Sequence, residues 1–468
     1  MKENESNIKE HLSVMVFPFR IINENKENDA FDFKDTKIEN VSEISIESLK
    51  RKLENLKIVP DNIVDHKHHN FIKNYIADST INNDSAFLQV YKLKKDFFAK
   101  NELTKYNTNQ HKLFINDIGD VEFADMCYVV LNESAQIGYF IFGLKIESNN
   151  LTCLEKLSAS KFFRYYTEDM NNEKNKFQYS MNVYDKKDES RSIISRISIQ
   201  KIIETYFGDL LSHLKFLYRK PISFHLFGKN YKSEFDNSNY EQFLFNLLRM
   251  PASEDYIATE VNSVNKYFIQ KTRDGIIFCA LNEGASVFDY SINDTLLFKK
   301  YFPAFILALN QREIMIRANS EISILNISDF ETGINDSVIE KLKKLKKNIN
   351  IFQLKQVIYS ISFYNEISLF YNELQKNFSI ELLLKDNKQS VMEIHTFLEN
   401  ESHETLMKLE KNRSDRFNWI IGLLTIIQCA SAIAAIFGYN RISSILLFVS
   451  FIPILMYVLN KITKKYKD

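Results

Sequence analysis

Short apolar runs separated by polar segments fill the first 290 residues, and long stretches without proline fill the rest. Val14-Met15-Val16-Phe17 is an apolar run before Pro18 and reads as a strand ending at a sheet edge. Two runs, 125–131 and 136–146, flank Asn132-Glu133-Ser134-Ala135 and read as a β-hairpin. A second hairpin is expected at 267–271 and 276–281, with Asp274-Gly275 as its turn. Apolar spacing makes 199–211 and 240–248 helical, and the polar segment 171–190 reads as a loop or solvated hairpin tip.

The pattern changes near Pro303. No proline occurs from Ala304 to Ile452, which favours long helices. One is expected over 336–376, with Leu342, Leu345, Ile349, Phe352 and Val357 at helical spacing. Another is expected over 391–416, where Val391, Ile394, Leu398, Leu406 and Leu409 form a stripe that calls for a partner helix. It continues without a breaker into Phe417–Phe437, a run with no charged residue. At 1.5 Å per residue that run spans roughly 30 Å, the thickness of a hydrocarbon core. After Gly438-Tyr439-Asn440-Arg441 comes a second uncharged run, Ile442–Leu459. Lys408, Lys411, Arg413 and Arg416 precede the first run, and Lys461, Lys464, Lys465 and Lys467 follow the second. Positive flanks place both ends on the cytosolic side of an inner (plasma) membrane crossed twice. The expected fold is therefore an α/β (α+β) cytosolic domain, residues 1–290, then a helical stalk, 291–416, then a two-helix transmembrane domain with a basic tail, 417–468.

Composition narrows the function. The 60 basic and 60 acidic residues balance, which argues against a nucleic-acid-coating role. Cys127, Cys153, Cys279 and Cys429 form no CxxC pair and read as free thiols, and the N-terminus has no apolar signal-peptide core. There is no GxGxxG, GxxxxGK[ST], GxSxG or HExxH, so nothing recommends an enzyme. Asp65-His66-Lys67-His68-His69 reads as a solvated turn, since adjacent residues seldom converge on one ion. Phe163-Arg164-Tyr165-Tyr166 offers a cation and aromatic faces suited to adenine and phosphate, but an ordinary amphipathic strand or helix end is the better account of it. Arg191 and Arg196, near Ser192 and Ser195, read the same way.

The first apolar run carries a polar and small-residue stripe: Asn418, Thr425, Gln428 and Ala432, with Ile421 and Ala435 on the same side. It is either a helix–helix seam, in which small residues permit close approach, or a water-facing pore wall. Gly438-Tyr439-Asn440, standing between two terminal apolar runs, resembles the Gly-Met-Asn signature of the CorA family of magnesium channels. The resemblance implies a homopentamer in the lipid bilayer, with Asn440 as the filter asparagine for a hydrated cation, Gly438 at the tight turn and Tyr439 in place of methionine. It implies that Asn418, Thr425, Gln428 and either Ser431 or Ala432 face the lumen, with Mg²⁺ or another cation permeant and no covalent cofactor. The short link, with Arg441 as its only charge, and the large N-terminal domain are similar to CorA-like effectors of type III CRISPR systems. That subgroup implies gating by a nucleotide second messenger of the SAM-AMP type in antiviral defence. The alternatives are a constitutive divalent-cation transporter and a tethered sensor without transport.

Overall fold

Strands buried on both faces need side chains that are apolar at every position, and several segments of this chain meet that demand. The computed structural model describes residues 10–21, 43–56, 68, 72–78, 88–93, 111–115, 119–147, 180–185, 193–198, 203, 207–218, 221–228, 269–289, 291, 294–324 and 361–436, with parts of 243–248 and 342–350. Two compact units are present, one of Met1–Asn326 with Glu340–Val391, the other of Ile327–Ile339 with Met392–Asp468.

The first unit is dominated by a mixed sheet. Its described strands are β1 (Glu10–Ile21), β2 (Ile76–Asp78), β3 (Leu88–Lys92), β4 (His111–Ile115), β5 (Gly119–Asn132), β6 (Ile137–Glu147), β7 (Ser180–Asp185), β8 (Ile193–Ser198), β9 (Leu214–Phe216), β10 (Ile222–Phe227), β11 (Ile269–Lys271), β12 (Ile277–Leu281) and β13 (Gly284–Phe288). They run in the order β11-β12-β13-β10-β1-β6-β5-β4-β7-β8, with β9 on β1, β3 on β5 and β2 on β3. Among the described strands only β10–β13 and β2–β3 pair in parallel. Helices α1 (Glu43–Leu56), α2 (Ile72–Tyr75), α3 (Asp294–Ile324) and α4 (Asn365–Asn377) belong to this unit. Helix α5 (Ile380–Ile436) begins in it and continues into the second unit.

Both expected hairpins form. β5 and β6 pair from Val121↔Ile146 to Asn132↔Ile137. β11 and β12 are joined by a turn in which Gly275 takes φ +81°, a conformation that favours glycine. β1, however, is a central strand that runs through Pro18, not an edge strand ending there. On one side it pairs with β6 throughout; on the other it pairs with β10 from Leu12 to Val16 and with β9 from Phe19 to Ile21. Pro18 falls at the changeover, where no ladder donor is required, and its carbonyl accepts from Leu217 N at 2.9 Å. The segment 171–190 contains β7, so it is not loop throughout.

The sheet's alternation builds two cores. Leu12, Val14, Val16, Phe224, Leu226, Phe278, Val287 and Tyr139 face α3 and α4. There Phe224 stacks on Phe305 with centroids 4.6 Å apart. Phe17, Phe19, Phe140, Phe142 and Phe227 lie on the other face, packed partly on Phe207 and Phe243. α3 is buried at every position from Phe302 through Leu309, the expected state of a helix that is apolar all round. Pro303 sits inside this helix and so does not mark its start. Beyond β13, Asp289 accepts from Lys300 Nζ, Tyr301 Oη and Ser291 N, a buried polar knot that ties the sheet to the first turns of α3.

Three further expectations change. The single helix over 336–376 is interrupted at 361–364, where Ser362 bridges His68 and its Oγ accepts from Tyr364 N, a local bond that competes with helix continuation. His68 is correspondingly buried, not part of a solvated turn. The membrane architecture is also corrected: among the described residues no helix is long and apolar enough to cross a membrane. The apolar run from Phe417 is the last part of the 57-residue α5, is broken by Asn418, Thr425, Gln428 and Ser431, and follows turns rich in Lys, Arg and Glu. The run 442–459 lies outside the described residues. The fold is a sheet-dominated mixed domain with helices, and the CorA-like two-span class and multi-pass membrane location are set aside.

Gly284 opens β13 directly against the Ser223 carbonyl of its parallel neighbour, leaving no room for a Cβ. Gly284→Ala is expected to destabilise the protein by about 1–3 kcal/mol, because backbone rather than a flexible side chain must shift. The urea unfolding midpoint reads this, and an unchanged midpoint would show that β10 and β13 are not so closely apposed.

Candidate ligand groove at the start of the long helix

Four consecutive polar residues, Asn310-Gln311-Arg312-Glu313, interrupt the apolar surface of α3, and all four are buried. Each has its polar group answered, as burial requires. Asn310 Oδ1 accepts from Asn132 Nδ2 at 3.1 Å and from Tyr139 Oη at 3.3 Å. Gln311 Nε2 donates to Tyr371 Oη at 2.8 Å, and its Oε1 accepts from Gln375 Nε2 at 3.1 Å. Arg312 Nε and Nη2 donate to Glu313 Oε1 at 3.0 and 2.9 Å, and Nη1 donates to the Asn282 carbonyl. Tyr218 Oη lies 2.9 Å from each Glu313 oxygen. One turn later Asn387 Nδ2 donates to Met315 O at 2.9 Å, fastening the beginning of α5 to α3.

The Arg312 guanidinium is flanked by two rings, with Cζ 4.7 Å from the Phe378 centroid and 5.7 Å from that of Tyr218. Both rings and Arg312 line a groove of about 430 Å³. Ile222 and Asn282 add the sheet side, and Ser379 and Leu383 add the joint where α4 passes into α5. Ser379 takes φ +55°, the left-handed conformation that is uncommon for residues other than glycine. It is held by Ser379 N to Lys376 O at 3.0 Å and by Leu383 N to Ser379 O at 2.9 Å. The groove thus borders the one joint that sets where α5 begins, and it can take a ligand with a planar or apolar body and an acceptor for a guanidinium.

A second set of charges adjoins Tyr218. Arg317 donates from Nε to Glu321 Oε1 at 2.9 Å, from Nη2 to Gln136 Oε1 at 3.1 Å and from Nη1 to the Ala135 carbonyl. Burial, and then the nearby Arg317, lower the Arg20 pKa, with Glu313 and Glu321 acting in the opposite sense. Burial foremost, and Glu313 next, push the Tyr218 hydroxyl up to about 12.

Asn418, Thr425, Gln428 and Ser431 lie on α5 and are exposed. Thr425 Oγ1 donates back to Ile421 O at 2.8 Å. Their apolar neighbours Phe417, Trp419, Ile420 and Leu424 are about as exposed, so within one chain the polar stripe has no wall around it. Gly438, Tyr439 and Asn440, the proposed cation filter, lie outside the described residues, as do Phe163–Tyr166, Arg191 and Cys153. Among the described residues Cys127 and Cys279 are buried and Cys429 is exposed, and none of the three forms a disulfide. Among the described residues no cluster of His, Cys, Asp or Glu could hold a metal ion. The groove was not anticipated from sequence, although a run of four polar residues directly after Ala304–Leu309 is a readable sign of a buried polar belt. Compared with protein-family models, curated proteins and solved structures, the chain matches none.

Two outcomes follow for the pair and its tyrosine. Arg312→Met or Glu313→Gln alone is expected to cost about 3–5 kcal/mol in urea unfolding, because each leaves a buried partner uncompensated, and the double replacement Arg312→Met/Glu313→Leu should recover part of the loss. Tyr218 favours its neutral form in the folded state, so its contribution is complete below pH 10 and lost as pH rises from about 10 towards 12. Tyr218→Phe should therefore flatten the decline of stability across that window, and an identical decline in the variant would refute the assignment.

Proposed function

We propose that the chain is an oligomeric effector switched by a small ligand, with the Arg312 groove as its sensor and α5 as its output. The observation that carries this reading is the groove's position: one wall is the Arg312–Tyr218–Phe378 cluster, and the other is the joint and first turn of α5. An occupant touching Leu383 and Ser379 bears on the residues that set where the helix begins, and a ligand shifts a conformational equilibrium only through such state-dependent contacts. A guanidinium between two aromatic rings is also suited to a nucleotide, whose base stacks and whose phosphate accepts from arginine. That chemistry agrees with the SAM-AMP-type messenger expected from the resemblance.

Self-association is the second half of the proposal. On α5, Leu406, Leu409, Phe417, Ile420, Leu424 and Ile426 are each about half or more exposed. Leu406, Leu409, Phe417, Ile420 and Leu424 recur on one side of the helix, an apolar stripe that supports an interaction site, and further copies of the same helix would bury it.

The test is calorimetry and mass photometry on the full chain, with SAM-AMP and with cyclic oligoadenylates. One nucleotide is expected to bind and to change the oligomer distribution. Leu383→Trp, which fills the groove, should weaken binding about tenfold or more. Binding of neither nucleotide by a folded, oligomeric sample would reject the nucleotide sensor, and a permanently monomeric chain would reject the output.

A further inference from the structure

Beside the groove one cation lacks a direct counter-ion. Arg312 and Tyr218 occupy Glu313, and Arg317 occupies Glu321. Among the described residues Arg20 makes no ion pair, and its Nε is buried with no hydrogen-bond partner. Three backbone links bring its surroundings together. Leu217 N donates to Pro18 O, which brings the segment leading to Tyr218 alongside β1. Ile21 N donates to Gln136 O at 3.2 Å, and Arg317 grips the same Ala135–Gln136 turn. Lys215, exposed, stands opposite Arg20 across the β1–β9 pairing. Three arginines therefore meet two glutamates here, with a lysine at the rim, and the side chain left over is half-buried and has an unused buried donor.

We propose that Arg20 and Arg317, with Lys215 at the rim, form a binding site for a phosphoryl oxyanion, and that this site holds the charged end of the ligand whose body occupies the groove. The second clause rests on the ligand-switched reading; the first does not. A phosphoryl oxygen would accept from the terminal nitrogens of the Arg20 guanidinium, whose Nε is already enclosed, and place a negative charge beside two guanidinium groups that otherwise repel each other. Charge-assisted bonds to a guanidinium are among the stronger polar contacts, and partial burial limits their screening by salt. Tyr218, which lines the groove and follows Leu217, whose N donates to Pro18 O on β1, connects the two sites.

The probe is inorganic pyrophosphate, titrated into the full chain by calorimetry. Wild type is expected to bind it, and Arg20→Gln should weaken binding about tenfold or more. Glu321→Gln, which removes a competing carboxylate, should tighten it, an effect that misfolding cannot mimic. No binding by wild type, or equal affinity in wild type and Arg20→Gln, would overturn the site. If pyrophosphate binds as expected but SAM-AMP and cyclic oligoadenylates leave the oligomer unchanged, the anion site stands and the switch falls. If a nucleotide changes the oligomer equally in wild type and Arg20→Gln, the switch stands and the claim that this site holds the ligand's charged end falls.

Discussion

A polar side chain taken out of water must find a partner, and α3 takes four in succession out of water at Asn310, Gln311, Arg312 and Glu313. Their partners come from everything packed around the helix: Asn132 and Tyr139 from the β5–β6 hairpin, Tyr371 and Gln375 from α4, Tyr218 from the segment after β9, and the Asn282 carbonyl from the β12–β13 turn. The apolar part of α3 would tolerate many rotations and small slides against the sheet. The polar quartet accepts only the arrangement in which all these acceptors and donors coincide. It therefore fixes the helix in register, and with it α4 and the joint at Ser379.

The same quartet explains why the groove lies where it does. The aromatic rings that flank Arg312 keep its charged group from water while leaving a concave surface at its edge. Asn387 repeats the device one step further along, spending a buried amide on a carbonyl of α3. Sheet, α3 and the first turns of α5 are thus joined by specific bonds as well as by apolar contact. A perturbation at the groove meets a network with few alternative arrangements, and that is the condition for a local change to be felt at the helix.

Much of the fold was legible. The hairpin over 125–146 announced itself by two apolar runs around a polar tetrapeptide, and Asp274-Gly275 marked the second. Helix α5 was visible from its lack of breakers. Pro18 misled because proline forbids a ladder bond on one side only, and β1 changes partner at that residue. Ser362 misled because helical spacing continues through it while its side chain captures the backbone of Tyr364. The stripe of Asn418, Thr425 and Gln428 was read correctly as lying on a helix, but exposure on all sides in one chain does not distinguish a pore wall from a seam. The ligand groove was illegible for a different reason: its residues come from positions 218, 282, 312 and 378, and nothing in local sequence joins them.

The position of β1 has a consequence for synthesis. The strand that ends at Ile21 is central to the sheet, and its neighbours are β6, ending at Glu147, and β10, ending at Phe227. A ribosome adding about 5–20 residues per second delivers those roughly 200 intervening residues over about 10–40 seconds. Throughout that interval Val14, Met15, Val16 and Phe17, buried on both faces in the finished molecule, have no completed sheet to enter. The order of synthesis thus leaves the sheet's central apolar strand without one of its neighbours until the other has long been made.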